Sequence, residues 1–174
     1  MKIINPNGKK KIVVNENETL YIWLEDFAPK SREFFLEIEL LGDMAQCVVE
    51  GRIHCQNSDK KVWNIRQIFH GKNQLGKINL HGVAEDKGHL DLNATGLISR
   101  DSHQASALIA EKILLFEKAK GQLLPVLTVK TDDVKTANHS ASITPVKDSD
   151  LFFLTSRGIP LDEAKNILKK GFLK

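Results

Sequence analysis

Short runs of alternating apolar and polar residues, separated by turn-forming residues, constrain the fold of this chain more than any other feature. "LYIWL", "FFLEIEL", "CVVEGRIHC", "KVWNIRQIF", "GKINLHGV", "HLDLNATGLI" and "PVLTV" follow one another with Gly, Asn, Asp and Lys between them. Runs of this length, rich in β-branched and aromatic residues, read as strands, so the body is mainly β. In "FFLEIEL", Phe35, Glu37 and Glu39 fall on one face and Leu36, Ile38 and Leu40 on the other, which makes one face wet and one apolar. "HLDLNATGLI" repeats the pattern. Glycines recur beside or within the runs at Gly42, Gly51, Gly71, Gly76, Gly82, Gly88, Gly96 and Gly121, where the expectation is sharp turns at positive φ. Only "NPNG" near the start supplies a strong hairpin signal. Neighbouring runs need not pair as hairpins, and both a β-sandwich and a parallel solenoid stay open, since no fixed period stands out.

The last part of the chain changes character. "DSDLFFLTSRG" reads as a helix capped by Asp148 or Ser149 and closed by Gly158. "IPLDEAKNILKKGFL" starts a second, with Pro160 early, Asp162 and Glu163 in the first turn, Lys169 and Lys170 in the last, and Gly171 after it. Ala164, Ile167, Leu168 and Phe172 form an apolar stripe, expected to face Leu151, Phe152 and Leu154 of the first helix. Residues 1–147 are thus read as a β-helix or sandwich body and residues 148–174 as a helical hairpin.

Charge and length narrow the functions. A chain of 174 residues buries a core of its own, with Lys and Arg exceeding Asp and Glu by 25 to 22. Apart from Lys9, Lys10 and Lys11 the positive charges alternate with acids, which argues against nucleic acid as a partner. The opening "MKIINPNGKK" lacks an export-signal core and "ALIAEKILLF" is broken by Glu111 and Lys112, so a cytoplasmic protein without a membrane span is expected. Cys47 and Cys55 read as packed thiols of a reducing compartment, on the opposite side of their strand from His54. Asp132 and Asp133 have an enzymatic reading as the acid pair of a β-helix carbohydrate enzyme. Adjacent residues of a strand point apart, however, which suits a solvated turn better. No Gly-rich phosphate loop or nucleophile elbow accompanies them, so a non-enzymatic protein is expected.

"PVLTVKTDDVK", then "HSAS", then "LFFLTSRGIP" with "EAK" and "GFL", resemble in order and spacing the C-terminal end of the SufB/SufD proteins, scaffold subunits of iron–sulfur cluster assembly. The likeness covers about the last hundred residues and continues more weakly upstream through "FHGKNQLGKINLHGVAEDKGHLDLNATGLI"; before position 70 it fades. It implies a right-handed parallel β-helix followed by a small helical domain, in a member shorter than the full family pattern.

The resemblance also bears on chemistry. The cysteine proposed as a cluster ligand in SufB falls on Ala119, the glutamate that follows the SufB histidine is Ser140 here, and the cysteine that SufD often carries two residues before its histidine is Ala137. The chain is therefore SufD-like, and His139 alone remains of the ligand set as a candidate metal ligand. One residue is inserted between "DDVK" and His139, which shifts the register of its strand. The implied partners are a SufC-type ATPase, docked on a ridge of Phe153, Arg157, Lys165 and Lys169, and a SufB-like subunit or a second copy of this chain. The chain alone is expected to hold no cofactor, with an iron–sulfur cluster only at an interface. A stand-alone β-helix interaction protein without cluster chemistry is the alternative.

Overall fold

The computed structural model describes residues 2–174. Twelve strands form two six-stranded sheets, and every pairing is parallel. The first sheet holds β1 (Lys2–Ile4), β3 (Thr19–Asp26), β5 (Gln46–Cys55), β7 (Leu75–Ala84), β9 (Ala105–Leu115) and β12 (Val134–Pro145), in that spatial order. The second runs β2 (Gly8–Val14), β4 (Arg32–Leu40), β6 (Lys60–Phe69), β8 (His89–Ile98), then β10 (Lys120–Leu123) and β11 (Val126–Val129), which both pair with β8. The chain alternates between the sheets, which makes a parallel β-solenoid and removes the sandwich from consideration. "NPNG" accordingly makes no hairpin, because β1 and β2 lie in different sheets.

The coil length drifts. Thr19 pairs with Gln46, 27 positions on, Gln46 with Leu75, 29 on, and Leu75 with Ser106, 31 on. The next step, Ser106 to Thr136, is 30, and along the second sheet Gly8, Phe34, Trp63, Leu92 and Leu123 follow at 26, 29, 29 and 31, so no single period runs through the chain. Its punctuation lies in the corners, where Asn17, Met44, Asn73 and Gln104 stack on one side and Asn57, Asp86 and Glu117 on another, all at positive φ. Each hands its backbone group to the next coil: Asn17 N–H donates to Asp43 O, Met44 N–H to Lys72 O, Asn73 N–H to His103 O and Gln104 N–H to Asp133 O.

The glycines singled out in the sequence do something else. None of the eight has positive φ; only Gly8 and Gly158 do. Gly51, Gly76, Gly82 and Gly96 sit inside strands, where a methyl group would collide with packed side chains. At Gly76 it would lie 2.3 Å from Phe69 Cζ, and at Gly51 2.6 Å from Leu80 Cδ2 and 2.8 Å from the Trp63 ring. They let large neighbours fill a narrow interior.

That interior is a stack of inward rows. Phe34, Leu36, Ile38 and Leu40 of β4 are fully buried, as the alternation required, and Phe34 meets Trp63 edge-on with ring centroids 6.0 Å apart. Cys47 and Cys55 belong to the same core, with His54 on the other face. Burial pushes the Cys47 thiol up to about 12, which makes it inert as a ligand or nucleophile at neutral pH. Lys61 is also fully buried, its Nζ donating to Asp26 Oδ1 at 2.9 Å and to the carbonyls of Asp26 and His54. Pairing and full hydrogen bonding make a buried charge tolerable there.

Two helices follow, α1 (Asp148–Thr155) and α2 (Leu161–Phe172). The cap of α1 lies one residue earlier than expected, at Lys147, whose N–H donates to Asp150 Oδ2 at 2.9 Å. Gly158 closes α1 at φ +84°, as its position suggested, whereas Gly171 falls inside α2. α2 lies against α1, as expected, and its apolar stripe also serves the solenoid. Leu168 and Phe172 pack with Val146 and Leu173 onto Val83, Leu114 and Phe116 of the solenoid, while Ile167 and Phe152 stay exposed.

Candidate functional site: the open edge and the helical pair

The four sheet edges are treated differently. β1 is three residues long, β2 carries exposed Lys9, Lys10 and Lys11, and the strand above β8 is cut between β10 and β11 at Leu124 and Pro125. The cut follows from chemistry. Leu123 pairs with Leu92 and Val126 with Thr95, so the register is continuous across the gap, but Pro125 has no N–H for the ladder. Lysine and proline discourage pairing with another chain at the two edges of the second sheet. β12 has none of these along its middle. It is a regular strand of twelve residues, "VKTANHSASITP", exposed from Lys135 to Pro145 and paired on one side only, with β9.

His139 lies at the centre of this edge, and a bulge decides which way it faces. Val134 pairs with Ala105 but Thr136 with Ser106, so Lys135 is an extra residue in the strand, slightly earlier than the stretch between "DDVK" and His139 where the insertion was expected. The bulge shifts the strand by one, and His139 pairs with buried Ile109. A one-residue shift exchanges the faces of a strand. Ala137, His139, Ala141 and Ile143 therefore continue the inner rows of Ala107, Ile109, Glu111 and Ile113. At this last coil the inner face is open, and His139 is exposed on it.

Glu111 is a feature that strand patterning did not single out. It lies on the inward row of β9, is completely buried, and neither carboxylate oxygen has a hydrogen-bond partner. Burial pushes its carboxyl up to about 8, against the pull of the nearby Ala94 and Leu124 N–H groups. The clue was available in "ALIAEKILLF", where Glu111 has the parity of the apolar positions Ile109 and Ile113.

Asp132 and Asp133 lie in the turn before β12, as their spacing suggested. Asp133 accepts from His103 Nδ1 at 3.0 Å and from Gln104 Nε2, and ties two coils together. Among the described residues no three His, Cys, Asp or Glu side chains converge as a metal cage, and no helix is long and apolar enough to cross a membrane.

The helical pair divides the expected ridge. Phe153 and Arg157 are exposed, with the guanidinium 3.7 Å from the Phe153 ring centroid and Nη1 donating to Phe153 O. Lys165 and Lys169 instead turn to the solenoid, where Lys165 pairs with Glu117 and Lys169 with Glu85 at 2.9 Å. They are docking residues of α2. The same edge binds the C-terminal carbonyls of α2, with His81 Nδ1 donating to Phe172 O, Arg52 Nε to Leu173 O and Arg52 Nη2 to Lys174 O. Cationic and hydrogen-bonding side chains at a helix C-terminus satisfy carbonyls that the helix cannot. His54 also reaches Glu85, at 2.6 Å, and burial holds both His54 and His81 below the usual imidazole range. Phe152, Phe153, Leu161 and Ile167 remain as an exposed apolar face.

Comparison with known proteins bears on this architecture. The profile of the family described as "SUF system FeS cluster assembly, SufBD core domain" matches residues 9–172, both helices included. The chain belongs to the SufBD family. It is 40% identical over 109 residues to the iron–sulfur cluster assembly protein SufD of Bacillus subtilis, covering 62% of this chain and 25% of that protein. It is 28% identical over 153 residues to SufD of Plasmodium falciparum, covering 78% of this chain and 10% of that one. A SufBD family protein of Mycobacterium leprae is 31% identical over 93 residues, or 53% of this chain and 10% of that protein. The chain thus spans a quarter or less of the length of these SufBD relatives.

Proposed function

We propose that this SufBD chain is a SufD-like, non-enzymatic scaffold subunit of iron–sulfur cluster assembly. In this reading it pairs through β12 with a SufB-like subunit or a second copy of itself, and carries a SufC-type ATPase on its helical pair. The observation that carries the reading is the unprotected β12 edge with His139 at its centre and on its open inner face. A strand added there would continue the first sheet and bring the partner's side chains to His139. The nascent cluster is cargo. One imidazole cannot hold it, so thiolates of the partner complete the ligand set. The exposed Phe152, Phe153, Leu161 and Ile167, rimmed by Arg157, suit a protein partner. A reducing cytoplasmic location fits the two free buried thiols.

The test is reconstitution with SufB-like and SufC-like partners. His139→Ala is expected to lower cluster yield at least tenfold without dissolving the complex, and deletion of residues 148–174 to abolish ATPase binding while the β signal in circular dichroism persists. Equal cluster yield from His139→Ala would reduce the chain to an interaction protein without cluster chemistry. ATPase that still co-purifies with the truncated chain would remove the docking assignment.

A further inference from the structure

Beside the last turns of α2, a cleft of about 520 Å³ opens against the solenoid. Glu25, Phe27 and His54 line it from the solenoid, and Lys169, Lys170 and Leu173 from the other side. That volume suits a small organic molecule. Neither His139 nor Phe153 borders the cleft, so it is separate from the edge strand and from the exposed face of α1. Phe27 leaves an aromatic ring 46% exposed there. Leu173 and the methylene stems of the lysines extend the apolar lining.

The polar groups around the cleft differ in how far they are already engaged. Glu85 accepts from His54 Nε2 at 2.6 Å and from Lys169 Nζ at 2.9 Å, which neutralises Lys169. A carboxylate only accepts, so Nε2 carries the hydrogen, and in a neutral imidazole Nδ1 is then left as an acceptor. Burial keeps His54 neutral. Lys170 and Lys174, which also borders the cleft, are exposed, and among the described residues neither has an ion-pair partner. Against these two ammonium groups stands one lining carboxylate, Glu25. The negative end of α2 would repel an anion, but its last carbonyls are taken by His81 and Arg52. The cleft is thus apolar on its walls, with a surplus of free positive charge and one unused acceptor.

We propose that this cleft binds an amphipathic organic anion, with its acidic group at Lys170 and Lys174, its apolar body against Phe27 and Leu173, and a hydrogen-bond donor at His54 Nδ1. Such a ligand touches the solenoid and α2 together. It therefore binds the docked arrangement and stabilises it by linkage. The assignment stands on the cleft itself and does not depend on the scaffold reading.

Anilinonaphthalene sulfonate is a probe of this class, since it carries a sulfonate, aromatic rings and an amine N–H, and fluoresces on leaving water. Titration of the full chain is expected to show one saturable site. Phe27→Ala and Lys170→Gln are each expected to weaken it about tenfold, and the neutral dye phenylnaphthylamine, which lacks the sulfonate, to bind about tenfold more weakly. The exposed face around Phe153 is the competing place for any such dye, and Phe153→Ala should bind as wild type does. Saturating dye should slow hydrogen exchange across residues 161–172 in wild type, and less so in Phe27→Ala at the same concentration. Lys170→Gln carries the test if Phe27→Ala loses the wild-type far-UV circular dichroism. The proposal is overturned if no saturable site exists, or if Phe153→Ala loses the site while Phe27→Ala keeps it. Equal binding of the neutral dye, or wild-type affinity in Lys170→Gln, overturns the anionic class of ligand. Unchanged exchange in α2 at saturation overturns the placement, because a ligand in the cleft cannot avoid that helix.

Discussion

At the scale of single residues, the buried carboxyl of Glu111 makes stability depend on pH. Its folded value of about 8 lies above the ordinary 4.5. Between these values the unfolded chain has released the proton and the folded chain has kept it, so rising pH favours unfolding. The stabilisation is fully present below the ordinary value and is lost as pH rises towards 8, by at most about 1.4 kcal/mol per pH unit. The urea midpoint of the wild type should fall between pH 5 and pH 8, and Glu111→Gln should lack that component. Parallel midpoint curves for the two proteins would show that Glu111 titrates normally. One residue is also enough to choose a face: Lys135, as the bulge, sets His139 on the inner row. An insertion is visible in a sequence comparison, but its effect depends on whether the coil absorbs it in a corner or in the strand.

At the scale of elements, α2 shows how a helix can satisfy amphipathic patterning and still dock somewhere unexpected. Its stripe was legible, but the solenoid surface it meets was not, because Val83 of β7 adjoins Leu114 and Phe116 at the end of β9 only once the solenoid closes. Polar contacts then fix its position. Arg52 is buried, stacks over the Trp23 ring with its guanidinium carbon 5.2 Å from the centroid, and binds the last carbonyls of α2. Arg52→Ala should cost about 1.5–3 kcal/mol in α2 docking, the range for hydrogen bonds to a charged group. Limited proteolysis should cut near residues 156–160 faster while the strands keep their protection from hydrogen exchange. Unchanged proteolysis would mean that Lys165, Lys169 and the apolar contacts hold α2 without Arg52.

At the scale of the whole molecule, the solenoid discourages pairing at both edges of its second sheet and leaves β12 open along its middle. Val146 N–H donates to Leu115 O at 2.8 Å, so the alternate residues Ala137, His139, Ala141 and Ile143 direct their backbone groups to the free side of β12. Ala141→Pro removes one outward N–H without touching the ladder to β9. It should weaken pairing with a SufB-like subunit or a second copy at least tenfold in sedimentation velocity, with unchanged circular dichroism. Undiminished association would place the interface elsewhere.

The amino-acid sequence by itself determined the strands, their wet and dry faces, the two helices and the family, because alternation, helix-end chemistry and motif order act over a few neighbouring residues. It left sandwich and solenoid open, since coils of 27, 29 and 31 residues share no period and their corners use Asn, Met, Gln, Asp and Glu at positive φ instead of glycine. Tertiary structure alone decided what depends on neighbours about thirty residues away: the inward turn of His139, the isolation of Glu111, the engagement of Lys165 and Lys169 by the solenoid, and the space that Gly51 and Gly76 leave for Trp63 and Phe69. The physical reason is that in a parallel solenoid each side chain packs mainly against the coils above and below. Its burial and its partners are set by stacking register, which local preference does not encode.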